Sequence, residues 1–215
     1  MTEEFEITVM DNPSSYLGME ISMTSNGIFL SQSKYARKVL ERFRMQDCKP
    51  VKTPLMPNTK EKLEQIRREE RVDYPYREAI GSLLYMSCKT RPDLAFCINY
   101  ESRFMENPAK EDVENLKRTM RYLQGTKGLG IHFCPTEMGE QIKLQAYCDS
   151  DFAGDIFDRK STTGYVILFG GAPTLWCSHK QSVVALSSTE AEFIAASECC
   201  QEIKNAKALI EELTV

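Results

Sequence analysis

Apolar residues return along this chain with two different periods. Tyr16, Leu17, Met19 and Ile21 precede the polar stretch Thr24-Ser25-Asn26-Gly27, and Ile28, Phe29 and Leu30 follow it, a pattern that predicts a β-hairpin. Asn-Gly is the pair best suited to its turn, because both residues accept positive φ. Beyond Ser33, an expected N-cap, Ala36, Val39, Leu40 and Phe43 recur at helical spacing. Lys34, Arg37, Lys38, Arg42 and Arg44 take up the rest of that surface, so the segment reads as a basic amphipathic helix.

Residues 46–75 interrupt the pattern with Pro50, Pro54 and Pro57 and a charged run from Lys60 to Arg71, which predicts a linker with at most a turn of helix. The helical period resumes at Tyr76. One helix is expected near 76–88 and a second from Pro92, whose fixed φ suits a first helical position. A third follows Pro108 and ends at Gly125 as C-cap. Past Gly125 the period shortens to two. Leu129, Ile131 and Phe133 alternate, as do Ile142, Leu144 and Ala146, and strand-like runs follow at Gly164–Phe169 and Thr174–Ser178, with turns at Gly139 and Gly170-Gly171. A long helix from about Ser188 to Leu213 closes the chain, with Ser188 or Thr189 as cap and Glu190 and Glu192 in its first turn. The fold class is α+β: an N-terminal β-hairpin and helical bundle, then an antiparallel sheet with one long helix.

Composition narrows the function. With 215 residues, 42% hydrophobic and 27% charged, the chain can bury a core, which excludes a wholly disordered protein. No uncharged apolar stretch approaches the roughly 18 residues of a membrane span, and Glu3, Glu4 and Glu6 stand where a signal peptide would be basic, so no membrane association or secretion is expected. The net charge of −4 means that any nucleic acid must be met by a local patch, because phosphate affinity comes from Lys and Arg. Eight scattered cysteines lack CxxC spacing and read as reduced thiols.

Asp149 and Asp151 stand where the apolar strand Leu144–Cys148 runs out, and Glu190 and Glu192 open the last helix. Carboxylates from a strand and an adjacent helix are how hard divalent cations are held, and two such ions can polarise a phosphodiester and activate water. By spacing alone, turn residues and helix-dipole partners explain the same acids.

Longer motifs carry more information. Tyr147-Cys148-Asp149-Ser150-Asp151-Phe152-Ala153-Gly154-Asp155, Arg159-Lys160-Ser161-Thr162-Thr163-Gly164-Tyr165, Trp176-Cys177-Ser178-His179-Lys180-Gln181 and Val184-Ala185-Leu186-Ser187-Ser188-Thr189-Glu190-Ala191-Glu192-Phe193-Ile194-Ala195-Ala196 closely resemble the ribonuclease H region of copia-type retrotransposon Pol polyproteins. Upstream, Tyr16-Leu17-Gly18-Met19-Glu20-Ile21, Tyr76-Arg77-Glu78-Ala79-Ile80-Gly81-Ser82-Leu83-Leu84-Tyr85, Thr90-Arg91-Pro92-Asp93-Leu94-Ala95 and Arg121-Tyr122-Leu123-Gln124-Gly125-Thr126 resemble the end of the reverse-transcriptase palm, the thumb and the connection. The resemblance covers nearly the whole chain, in the family's order. It implies a division into 1–45, end of palm and thumb helix; 46–75, linker; 76–127, helical connection; and 128–215, a truncated ribonuclease H-like domain.

The resemblance assigns Asp149 and Glu192 as catalytic, Mg2+-binding carboxylates, with Asp151 and Glu190 as second choices. Glu190 and Glu192 lie about 200° apart around a helix, so only one of them is expected to face the metal. It also implies an RNA–DNA hybrid or other nucleic acid as partner, gripped by Lys34, Arg37, Lys38 and Arg42, with other Pol subunits as further partners. Ser161, Thr162 and Thr163 are candidates for RNA hydroxyl contacts, and Lys160, His179 and Lys180 for phosphates. The expected location is a cytoplasmic particle with a nuclear phase.

Departures from the family's pattern count against activity. No Tyr-x-Asp-Asp motif precedes Tyr16 and Asp11 stands alone, so nucleotide addition is not expected. The family's later aspartates would fall beyond Val215, so the magnesium site is expected to be incomplete and the isolated chain inactive. The alternative is a non-enzymatic nucleic-acid-binding or Pol-assembly module. An aspartyl phosphotransferase reading of Asp149-Ser150-Asp151 fails at Ala153, where that chemistry wants a threonine.

Overall fold

The computed structural model describes residues 12–56, 72–135 and 142–213. Met1–Glu6, Asp11, the run Lys60–Arg71 and Gly139 lie outside the described residues.

The chain is α+β, as its periods predict. Strands β1 (Ser15–Tyr16), β2 (Met19–Thr24) and β3 (Gly27–Ser31) lead into helix α1 (Ser33–Arg42). Helix α2 (Tyr76–Ser87), a 3₁₀ turn (Pro92–Leu94), α3 (Ala95–Ser102) and α4 (Lys110–Thr126) follow. Then come β4 (Gly130–Phe133), β5 (Leu144–Asp151), β6 (Thr162–Phe169), β7 (Ala172–Lys180) and α5 (Ser188–Leu213). Both sheets are antiparallel, one ordered β1-β2-β3-β4 and the other β5-β6-β7.

Helices α1 to α4 converge on one apolar core. Leu40, Ile80, Leu83, Met86, Leu94, Ile98, Leu116, Met120 and Leu123 are fully buried there. Removing a side chain of this size from water is worth roughly 1.5–3 kcal/mol, so this core dominates the stability. Several local devices differ from those the sequence predicts. Ser33 is the first helical residue and not the cap; the Lys34 N–H instead donates to Glu20 Oε1 at 2.6 Å, a carboxylate from β2 placed at the positive end of α1. The two turn residues of the hairpin are Ser25 and Asn26. Gly27, with φ +120°, is needed for another reason: a Cβ there would stand 2.0 Å from the Phe133 carbonyl oxygen of β4. Pro92 opens a 3₁₀ turn that passes into α3, and α4 runs through Gly125 to Thr126. Gly125 admits Pro50, whose Cβ would lie 3.0 Å from an added Cβ.

That approach belongs to a larger feature. The described first half of the expected linker is strapped to α4: Arg121 Nε donates to the Lys49 carbonyl at 2.8 Å, Gln124 Nε2 to the Gln46 carbonyl at 2.5 Å and Arg118 to Thr53 Oγ1 at 2.9 Å. Strand β4, expected in the C-terminal sheet, pairs with β3 and completes the first sheet. Its alternation fitted either sheet; only the pairing partner decides.

The second sheet lies between the helical bundle and α5. Trp176 Nε1 donates to the Ser87 carbonyl at 2.7 Å on the bundle side. On the other side α5 presents Ala191, Ala195 and Cys199, all buried and four residues apart, so small side chains let the helix sit close to the strands. The cap of α5 is Ser187: its Oγ accepts the Glu190 N–H at 3.1 Å, and Glu190 Oε2 accepts the Leu186 N–H at 2.6 Å. No described helix is long and apolar enough to cross a membrane.

Candidate functional site

Alternation along β5 decides which acids can meet. Successive strand residues point to opposite faces, and directly paired residues share a face. Cys148 pairs with Tyr165 and Asp149 with Gly164; Ser150 pairs with Thr163 and Asp151 with Thr162. Cys148 lines a cavity of about 440 Å³ together with Ser188, Thr189, Glu192, Phe193 and Ala196, so the Cys148 face of β5 looks toward α5. Asp149 and Asp151 share the opposite face with Gly164 and Thr162, the face where Arg103 from the end of α3 donates to Thr162 Oγ1 at 3.1 Å.

The structure therefore brings Glu192 to Cys148 and not to Asp149. Strand β5 is also an edge strand among the described residues, not a central one. Glu190 is occupied at the helix cap, which leaves Glu192, just past the first turn, as the acid that lines the cavity. Magnesium prefers oxygen ligands, and the cavity beside Glu192 offers one carboxylate, two hydroxyls and a thiol. Among the described residues no group of three or more His, Cys, Asp or Glu side chains is gathered to hold a metal ion. As they stand, these residues do not fit the paired-carboxylate magnesium site that the resemblance implies. A larger cleft of about 600 Å³, lined by Val72, Tyr74, Tyr76, Arg77 and Met105 among others, borders the bundle and contains none of the candidate acids.

Residues considered for nucleic-acid contacts divide sharply. Ser161, Thr162 and Thr163 are buried and already bonded: Ser161 Oγ accepts the Ala153 N–H, Thr162 accepts Arg103, and Thr163 accepts Gln181 Nε2. They are internal ties, a correction to the expectation of RNA contacts. Lys180 donates to Asp155 and Asp158, both at 2.9 Å, and His179 pairs with Glu198, so neither is a free phosphate ligand. Lys34, Arg37, Lys38 and Arg42, by contrast, are all exposed on α1 while Ala36, Val39 and Leu40 are buried beneath them. Arg42 also pairs with Glu78 at 2.5 Å.

Sequence reasoning missed two titratable groups. Asp155, buried, accepts from both Arg103 and Lys180 and from the N–H groups of Phe157 and Asp158. Burial alone would raise its carboxyl, but the Lys180 hydrogen bond and those two N–H groups outweigh it and hold the acid at about 2. This cluster ties the second sheet to α3. Glu101, deep in the bundle, accepts from Thr119 at 2.8 Å, yet burial pushes its carboxyl up to about 8. Asp155 closes the first of the motifs above; nothing local in the sequence marks Glu101.

A family model described as reverse transcriptase (RNA-dependent DNA polymerase) matches residues 1–57. The chain belongs to the retrovirus-related Pol polyproteins of copia-type transposons. It is 42% identical over 99% of its length to the Pol polyprotein from transposon TNT 1-94 of Nicotiana tabacum, and 36% identical over its full length to that from transposon RE1 of Arabidopsis thaliana. It spans 16% and 14% of those two relatives. An uncharacterized mitochondrial protein of Arabidopsis thaliana is 36% identical over 87% of this chain, which covers 76% of that protein. No solved structure matches.

Proposed function

We propose that within a Pol polyprotein this chain forms the stretch that carries the end of the reverse transcriptase into a ribonuclease H-like sheet, and that by itself it binds RNA–DNA hybrid without hydrolysing it. The observation that carries this reading is the register of β5, which turns Asp149 away from the helix that bears Glu192. A phosphodiester-cleaving metal pair needs its carboxylates converging on one point, and these two diverge. Binding is supported by α1, whose cations face outward from a helix whose apolar stripe is already anchored. Exposed Tyr147, Leu186 and Phe193 around β5 and α5 favour a second role for the same chain, contact with another part of Pol.

The test measures cleavage and binding on one hybrid substrate. With Mg2+ the full chain is expected to bind but not to turn over, and turnover abolished by both Asp149→Asn and Glu192→Gln would overturn the reading. Changing Lys34, Arg37, Lys38 and Arg42 together to Glu is expected to remove binding. The logarithm of affinity in the unaltered chain should fall with that of salt by about 0.9 for each phosphate contact. Unchanged affinity in the fourfold variant would leave the Pol-contact role alone standing.

A further inference from the structure

Strand β5 has β6 on one side and no neighbour on the other among the described residues. In an antiparallel sheet the backbone polar groups of a strand turn alternately to its two sides. The Gly170 N–H donates to the Lys143 carbonyl at 3.1 Å, so the groups of Lys143 turn toward β6, and by alternation so do those of Gln145, Tyr147 and Asp149. The N–H and C=O groups of Leu144, Ala146 and Cys148 therefore point out of the open edge. Neither a proline nor a bulge, two devices that guard sheet edges, interrupts this row.

We propose that two copies of the chain associate through this edge, β5 against β5, as an antiparallel two-fold pair that joins two three-stranded sheets into one. Pairing that satisfies the outward groups must set Leu144, Ala146 and Cys148 against one another. Centred on Ala146, it places Ala146 against Ala146 and Leu144 against Cys148, each pair exchanging two hydrogen bonds. The same register sets Lys143 opposite Asp149, twice by symmetry. Both side chains are exposed, and neither has an ion-pair partner among the described residues. Opposite charges directly across a sheet stabilise the pair and like charges destabilise it. Centring on Asp149 or Ser150 would set Asp149 against Asp149 or Asp151. Charge thus favours a register in which one end of the strand complements the other.

Apolar surroundings fit the same occupant. Helix α5 lies more over the edge strand than over β6. Phe193, 72% exposed, shares the cavity with Cys148, so it stands at the rim where Leu144 of the second copy would arrive. Exposed Tyr147, on the opposite face, would meet Gln145 of the second copy. Nothing in this pairing uses α1, so it stands apart from the proposed grip on nucleic acid.

Sedimentation equilibrium of the reduced full chain over a range of concentrations reads the association, and a monomer–dimer equilibrium is expected. The N–H groups of Leu144, Ala146 and Cys148 should exchange with deuterium more slowly in the dimer than on dilution. Ala146→Pro removes one outward N–H without touching a bond to β6 and is expected to abolish the dimer. Lys143→Glu and Asp149→Lys each set like charges opposite and should weaken association about tenfold, since symmetry counts each change twice. Together they exchange the charges and should restore it. Both lie at exposed positions, so they test the edge independently of how proline affects folding. A chain that stays monomeric at every concentration would leave the edge to another part of Pol and overturn the proposal. Association that survives Ala146→Pro would place the contact elsewhere, and a double variant as weak as the single ones would exclude this register; either result overturns it.

Discussion

In the helical bundle, leucine, isoleucine and methionine from four helices close on one another until none of the central ones touches solvent. In the second sheet and α5, Ile167 of β6 is buried and the helix contributes small residues, Ala191, Ala195 and Cys199, whereas several large apolar side chains on or beside these elements are exposed: Leu186 is 89% exposed, Phe193 72% and Tyr147 58%. The bundle closes on its own core, whereas β5 is an edge strand among the described residues and several apolar side chains around it and α5 are exposed. The regions are joined by Trp176 to the Ser87 carbonyl, by Asp155 between Arg103 and Lys180, and by Ile156, which packs against the bundle core.

The contrast predicts where stability resides. Leu83 is fully buried at the centre of the bundle. Leu83→Ala leaves a cavity there and is expected to lower the unfolding free energy by about 2–5 kcal/mol, measured from urea midpoints at constant slope. A loss under about 1 kcal/mol would mean that the bundle repacks freely and that the comparison drawn above is false.

A smaller effect is chemical. Glu101 titrates near 4.5 in the unfolded chain and at about 8 in the fold, because burial disfavours its charge. Between those values the folded protein keeps a proton that the unfolded chain releases. Its contribution to stability is therefore fully present below pH 4.5, declines as pH rises and is lost through pH 8, at up to about 1.4 kcal/mol per pH unit. Glu101→Gln keeps the shape and removes the proton, so it should flatten this decline and raise stability at pH 7 by on the order of 1–3 kcal/mol. Urea midpoints of both proteins from pH 5 to pH 8 check it. Parallel curves would show that the acid is not held neutral.

Elements of this fold were legible because periods of two and of 3.6 survive in the sequence: Tyr76–Ser87 and Ser188–Leu213 stand close to where apolar spacing puts them. Partnership was not. Leu129, Ile131 and Phe133 announce a strand, but the residues that choose its neighbour lie in β3, far away in the chain. The candidate site shows the same gap at higher stakes. Alternation says that Cys148 and Asp149 face opposite ways, yet only the cavity shared with Glu192 reveals which of them faces α5. Glu190 was separable from Glu192 by helix geometry, and the bond that Glu190 accepts from the Leu186 N–H decides between them. Glu101 left no trace, since a single acid in a helix looks exposed until its neighbours are known.

The smallest predicted change tests the outward face itself. Phe193 adjoins the cavity between Cys148 and Glu192, but its ring is mostly in water and contributes little to the core. Phe193→Ser should therefore shift stability by no more than about 0.5 kcal/mol, as surface substitutions do. The same change removes the largest apolar group from the rim of the β5 edge. If that rim is where chains or other parts of Pol make contact, concentration-dependent self-association measured by sedimentation should fall while the urea midpoint stays in place. A loss of stability comparable with that of Leu83→Ala would place Phe193 inside a core, and the face would then be closed rather than awaiting a partner.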